Sequence, residues 1–79
     1  MEWTPETIRL LRKHTGDTQE QFAHRLGLKR RFTIIDWETG RRHPSGMARR
    51  LLDVLANDHG FTERVAARLR DRLKREEGE

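Results

Sequence analysis

Glycine residues divide this chain into segments that are too short for long helices. Gly16, Gly27 and Gly40 each follow a stretch of helix-favouring residues, and glycine is the residue that most often follows the end of a helix. Nowhere do apolar and polar residues alternate in the way that a half-buried strand requires. The sequence therefore predicts an all-α fold made of short helices that meet at tight corners.

Residues with N-cap chemistry predict where most of these helices begin. Thr18–Gln21 has the spacing of a capping box, and the helix that it opens is expected to close at Gly27. The third helix is predicted to run from Lys29 or Arg30 to Glu38, and the last helix over about residues 62–75. The predicted N-caps of the first, fourth and fifth helices are Thr4, Ser45 and Thr62.

Length and composition restrict the class of protein further. With 79 residues, the chain is expected to form one domain over residues 1–79, with residues 76–79 frayed. It has no cysteine and 38% charged residues, so we expect no disulfide, no membrane span and a cytoplasmic location. The four histidines lack the spacing of a metal site, and no nucleophile, base or carboxylate pair indicates an enzyme. No cofactor is therefore expected.

Positive charge is concentrated in the middle of the chain. Residues 25–50 contain eight lysines and arginines against Asp36 and Glu38, whereas the whole chain has a net charge of +4. Such a cluster is either a solvated face or a surface for a polyanion. The concentration of positive charge in one segment favours the interpretation as a surface for a polyanion.

One stretch carries the most specific motif of the sequence. Residues 18–27 read Thr-Gln-Glu-Gln-Phe-Ala-His-Arg-Leu-Gly and precede Ile34, Trp37, Glu38 and Gly40. This combination closely resembles the helix-turn-helix of the Cro and phage-repressor (Xre) family, with its T-Q-x-x-[FL]-A-x-x-L-G and W-E-x-G signatures. The resemblance covers about Ile8 to Leu55. It implies a five-helix, lambda-repressor-like DNA-binding domain with a helix-turn-helix core at about residues 18–38.

Three features depart from the family pattern. Asp17 stands where the family usually places an apolar residue, which predicts a thinner core at that corner. One residue more than usual separates Gly27 from Trp37, so the turn or the start of the third helix has to absorb it. Lys29 and Arg30 occupy the place where a serine or threonine commonly caps the recognition helix. The cap is lost, and the two cations favour a nearby phosphate instead.

The resemblance also implies which residues contact DNA. With Ile34 and Trp37 facing the core, the opposite face of the third helix enters the major groove. The residues implied to contact base edges are Arg30, Arg31, Phe32, Ile35 and Asp36. The residues implied to contact phosphates are Thr18, Gln19, Lys29, Thr33, Arg41, Arg42 and His43. A second interpretation stays open, in which Leu28, Phe32 and Ile35 form the core stripe.

The fifth helix carries the predicted dimer interface. A single recognition helix reads too few base pairs to define one site in a genome, so we expect a homodimer on an inverted-repeat operator. Such a dimer represses transcription by occluding a promoter, in particular its own. The apolar stripe of the fifth helix either packs on its own chain or meets the partner, and its residues are Phe61, Val65, Leu69 and Leu73.

Besides a non-specific basic structural protein, which would bind all duplexes equally, two alternative functions remain open. The run Pro44-Ser45-Gly46, followed by Ala48, looks like antitoxin-type members of the family, which implies a toxin as a protein partner. The other alternative is a phage-encoded repressor associated with an anti-CRISPR gene. Both alternatives bind double-stranded DNA, so the protein is expected at the nucleoid in either case.

Overall fold

The computed structural model describes residues 1–78 and contains five α-helices. No strand occurs within these residues, and none of the helices found there has the length and apolar character that crossing a bilayer requires. The predicted all-α architecture of five helices is confirmed. The helices are α1 (Pro5–Thr15), α2 (Gln19–Arg25), α3 (Phe32–Thr39), α4 (Gly46–Asp58) and α5 (Glu63–Gly78).

Hydroxyl side chains fix the starts of four helices. The Thr18 hydroxyl accepts a hydrogen bond from the backbone N–H of Gln21 at 3.1 Å, and the Gln21 side chain accepts one from the backbone N–H of Thr18 at 2.9 Å. Thr4 forms the same reciprocal pair with the threonine three residues later. The hydroxyls of Ser45 and Thr62 each accept one backbone N–H bond. The four predicted caps are therefore present, and they satisfy backbone donors that the helices leave free.

The core is built around α1. This helix packs against α3 and α5, while α2 packs against α3. Burial of each large apolar side chain contributes about 1.5–3 kcal/mol, and α1 to α4 all supply such side chains. The largest fully buried ones are Ile8, Leu11, Phe22, Ile34 and Leu52.

Phe61, which lies two residues before α5, is part of this core, although the sequence predicts it as a dimer contact. Phe61 is only 4% exposed. Its ring lies 6.4 Å from that of Trp3 in a nearly parallel arrangement and 5.4 Å from that of His14. The Trp3 indole also donates a hydrogen bond of 2.7 Å to Asp53 on α4. Phe61 is therefore covered by its own protomer and is not available to a second one.

The rest of the predicted dimer stripe also packs on its own chain. Val65, Leu69 and Leu73 are half-buried against the core. Their four-residue spacing identified an apolar face correctly, but the period of a helix does not reveal which surface covers that face. In this structure α1 lies against α5, and contact of the partly exposed Leu69 and Leu73 with a second protomer stays a prediction.

α5 continues to Gly78 rather than ending at residue 75. Ion pairs tie α1 to this helix, with Arg70 2.7 Å from Glu6 and Glu77 3.6 Å from Arg9. The helix ends later than predicted because the apolar pattern, which stops at Leu73, does not mark its end. Position 79 lies outside the described residues.

Asp17 closes the corner between α1 and α2 through polar contacts. Two nitrogens of the Arg25 guanidinium donate to its carboxylate oxygens at 2.7 and 2.9 Å, and the Thr15 hydroxyl donates to it at 3.0 Å. The bonds from Arg25 and Thr15 lower the pKa of the Asp17 carboxyl, although its burial acts in the opposite direction. An ion pair thus replaces the apolar contact that other family members are expected to make here.

Candidate nucleic-acid interface

α3 presents one face to the core and the opposite face to solvent. Ile34 and Trp37 are buried, whereas Phe32 is 57% exposed. Ile35 and Asp36 are half-buried beside it. The interpretation in which Phe32 belongs to the core stripe is therefore wrong. The outer face is the one that the spacing of Ile34 and Trp37 predicts.

The connection between α2 and α3 is longer than the sequence predicts. α3 begins at Phe32, later than the predicted start at Lys29 or Arg30, and residues 26–31 form the connection. Gly27 adopts a left-handed conformation with φ 76°, which glycine reaches without strain. The backbone N–H of Leu28 then donates to the carbonyl of Ala23 at 2.8 Å and ends α2. With this connection, Ile34 and Trp37 both lie on the core side of α3.

An ion pair between α1 and α3 fixes the orientation of α3. Two guanidinium nitrogens of Arg12 donate to the two carboxylate oxygens of Glu38 at 2.7 and 2.9 Å. These side chains are only 11% and 6% exposed, respectively, and the bidentate geometry restricts the orientation of both. The Gln19 amide lies 3.5 Å from the same carboxylate. Residues from α1, α2 and α3 thus meet at Glu38.

Sequence reasoning did not find this ion pair. Glu38 is part of the W-E-x-G motif, but its partner Arg12 lies 26 residues earlier in the chain. Periodicity within one helix carries no information about a contact of this range. The sequence nevertheless contains a hint of the ion pair. Arg12 directly follows Leu11 and Glu38 directly follows Trp37, so each charged residue lies at the edge of an apolar face.

Cationic side chains surround the outer face of α3. The Arg31 guanidinium lies 5.7 Å from the centre of the Phe32 ring, and the Arg42 Nε lies 3.8 Å from a carboxylate oxygen of Asp36. The face therefore combines an apolar ring with guanidinium donors in a positive surrounding, which is complementary to base edges flanked by phosphates. The exposed basic residues at its two ends are Lys29, Arg30 and Arg31 before α3, and Arg41, Arg42 and His43 after it.

The side chains of the other predicted phosphate contacts are less available to DNA than the exposed basic residues. The Thr18 hydroxyl is engaged as the N-cap of α2, and half-buried Gln19 is directed at Glu38. Thr33 is half-buried and lines a cavity of about 310 Å³ between α3 and α4. These three residues lie beside the exposed basic groups, but their side chains are partly committed to contacts within the protein.

The histidines are not grouped around a common point. Within residues 1–78, no three His, Asp or Glu side chains are placed to share a metal ion. His14 instead lies with one ring nitrogen 2.8 Å from the carbonyl oxygen of His59, which links α1 to the end of α4.

Comparison with known families identifies this arrangement. The model of the helix-turn-helix family HTH_3 matches residues 8–55, which include α2, the turn and α3. No curated protein and no solved structure gives a significant match. Because the matched region exceeds half of the chain, this protein belongs to the helix-turn-helix family of the Cro and phage-repressor (Xre) type. It is a DNA-binding transcription regulator.

Proposed function

We propose that this protein is a homodimeric repressor that binds an inverted-repeat operator, in particular at its own promoter, and occludes RNA polymerase. The outer face of α3 carries this proposal. Phe32 is a large apolar side chain that is 57% exposed and lies next to the guanidinium of Arg31. In a major groove the ring faces a thymine methyl group, and Arg31 donates two hydrogen bonds to a guanine.

Residues beside these two complete the proposed base contacts. Arg30 precedes Arg31 in the turn, and Ile35 lies half-buried on the same side of α3 as Phe32. Asp36 either accepts a hydrogen bond from cytosine or orients Arg42, and its distance of 3.8 Å from Arg42 supports the second role.

The proposed phosphate contacts lie at the two ends of α3. Lys29, Arg41, Arg42 and His43 are exposed there, so they can contact the DNA backbone on either side of the recognition helix. Thr18, Gln19 and Thr33 contribute backbone or hydroxyl donors near the start of α2 and α3. A dimer repeats this set at a second half-site one helical turn away. A protein that binds DNA in this way is expected at the nucleoid.

The similarity of Pro44-Ser45-Gly46 to antitoxins supports a second candidate function. Pro44 is buried and Ser45 caps α4, so this run positions the start of that helix. An antitoxin sequesters a toxin and represses its own operon as well, so this function adds a protein partner to the same DNA-binding activity. A toxin-like reading frame beside the gene is the observation that favours it, whereas an anti-CRISPR gene there favours the phage-encoded alternative.

Replacing Phe32 with alanine tests the role of the outer face. We expect operator affinity to fall by tenfold or more, since a lost base contact costs about 1–3 kcal/mol, while the melting temperature stays nearly unchanged because the ring is exposed. The matched control is Ile34→Ala in the same helix. That change removes a buried side chain and lowers the free energy of unfolding by about 2–5 kcal/mol. A Phe32→Ala variant that keeps full operator affinity contradicts the proposal.

A further inference from the structure

α5 carries four arginines along one side. Their spacing of four, four and three residues places them in a row that is about 16 Å long. All four side chains are exposed, and within residues 1–78 none of them forms an ion pair. The residues of this arginine row are Arg64, Arg68, Arg72 and Arg75.

The charges of the arginine row oppose the stability of α5. Like charges four residues apart repel each other on a helix, and Arg64 lies in the first turn of α5, where the helix dipole disfavours a cation. Arg70 shows what a structural arginine does on this helix, because its guanidinium lies 2.7 Å from the Glu6 carboxylate on α1. The row has no such compensation within the described residues, which indicates a negatively charged partner.

The arginine row lies apart from the outer face of α3. α1 packs against both α3 and α5. It pairs with α3 through Arg12 and with α5 through Glu6 and Arg9, so the two helices lie on different sides of α1. DNA bound by the outer face of α3 therefore does not account for the row.

The arginine row also differs from the apolar stripe of α5. Three of its arginines directly precede a residue of the stripe, as Arg68 precedes Leu69. Successive residues of a helix are turned by about 100°, so the row and the stripe face different directions. A contact of Leu69 and Leu73 with a second protomer therefore does not use the row.

An acidic residue within the row favours a protein over a nucleic acid as the partner. Exposed Asp71 lies three residues after Arg68 and four before Arg75, so its carboxylate adjoins both arginines. A nucleic acid backbone carries negative charge at every phosphate and is repelled at this position. An acidic helix of a protein can place carboxylates at the spacing of the row, with an uncharged residue opposite Asp71. Carboxylates also form bidentate pairs with guanidinium groups.

We propose that the arginine row docks an acidic α-helix of another protein, with one carboxylate against each guanidinium. The partner helix binds whether or not α3 holds DNA. This inference goes beyond the proposed repressor function, because it uses none of the residues of the candidate nucleic-acid interface. Each ion pair is exposed to water and is weak by itself, so binding requires the four pairs together and decreases with salt.

Fluorescence anisotropy with two labelled peptides tests the docking surface. The first is an alanine-rich helical peptide whose four glutamates are spaced like the row, and the second has the same composition with the glutamates distributed around the helix. At low salt the wild-type protein is expected to bind the first peptide about tenfold more tightly, the equivalent of about 1.4 kcal/mol. Equal affinity for the two peptides overturns the proposal.

Two double variants locate the peptide on the protein. R68A/R72A should abolish the preference for the first peptide. The matched control R49A/R50A removes the same charge from exposed positions of α4 and should retain the preference. Melting curves establish that both variants are folded. Equal loss in the two variants means that the peptide responds to net charge alone, which overturns the proposal.

Operator DNA distinguishes the two classes of partner. A saturating operator duplex should leave the affinity for the first peptide unchanged, and R64A/R68A should weaken peptide binding without weakening duplex binding. Displacement of the peptide by the duplex, or equal weakening of both by R64A/R68A, identifies the row as a nucleic-acid contact and overturns the proposal.

Discussion

Glu38→Ala is expected to lower the free energy of unfolding by about 3 kcal/mol or more, because it leaves the buried Arg12 guanidinium without its counter-charge. Both side chains are nearly inaccessible to water, and two hydrogen bonds join them. A domain of this length has only about 4–12 kcal/mol of stability in total. The melting temperature should therefore fall by about 12 °C or more, which differential scanning calorimetry measures directly.

Two variants distinguish this explanation from a general loss of acidic charge. Glu76→Ala removes an exposed carboxylate from α5 and should change stability by less than about 0.5 kcal/mol. The double variant R12M/E38L replaces both charges by apolar groups and should recover most of the loss. If Glu38→Ala melts at the wild-type temperature, the ion pair does not hold α3 against α1.

Operator affinity is expected to fall about a thousandfold between 50 and 200 mM salt. Lys29, Arg41 and Arg42 are exposed cations beside α3, so a dimer presents six of them to the phosphates. Each neutralised phosphate adds about 0.9 to the slope of log affinity against log salt, which gives a slope near −5. Fluorescence anisotropy with a labelled operator at several salt concentrations measures this slope.

A pair of double variants separates these contacts from the overall charge. R41A/R42A removes four of the six cations per dimer, so the slope should fall to about −2. R64A/R68A removes the same charge from exposed positions on α5 and should leave the slope nearly unchanged. Equal slopes for the two variants would mean that the residues after α3 do not contact the phosphates.

The helix starts could be predicted because their signals are local. The Thr18 and Gln21 side chains form both bonds of a capping box within four residues, and the residue types at this spacing suffice to recognise it. The predicted start of α3 is too early because no side chain caps this helix. Arg31 occupies its N-cap position without such a bond, so the sequence contains no capping signal at this boundary.

The surfaces of α4 and α5 show that periodicity does not determine which apolar faces the protomer covers. The spacing of Phe61, Val65 and the leucines after them identifies an apolar face, but only the tertiary structure shows that the protomer covers it. On α4 the apolar positions cover more of the helix circumference than one buried face requires. The sequence alone shows these additional apolar positions. The exposure of Met47 and Val54, in contrast, depends on where α1 and α3 lie.

The outer face of α3 was the most predictable part of the candidate site. Two inward residues, Ile34 and Trp37, fix the direction of every other side chain on a rigid helix, so the exposure of Phe32 follows from them. The contact between Arg31 and the Phe32 ring does not follow, because it depends on the path of the turn before α3.

Selection of bound duplexes from a pool of random DNA tests the central claim most directly. The account predicts an enriched inverted repeat with half-sites about 34 Å apart. Arg31→Ala should select a site with relaxed preference at one position of each half-site. Enrichment of no sequence at all, or of the same sites with the same affinity by wild type, Phe32→Ala and Arg31→Ala, would contradict the claim that the outer face of α3 reads DNA.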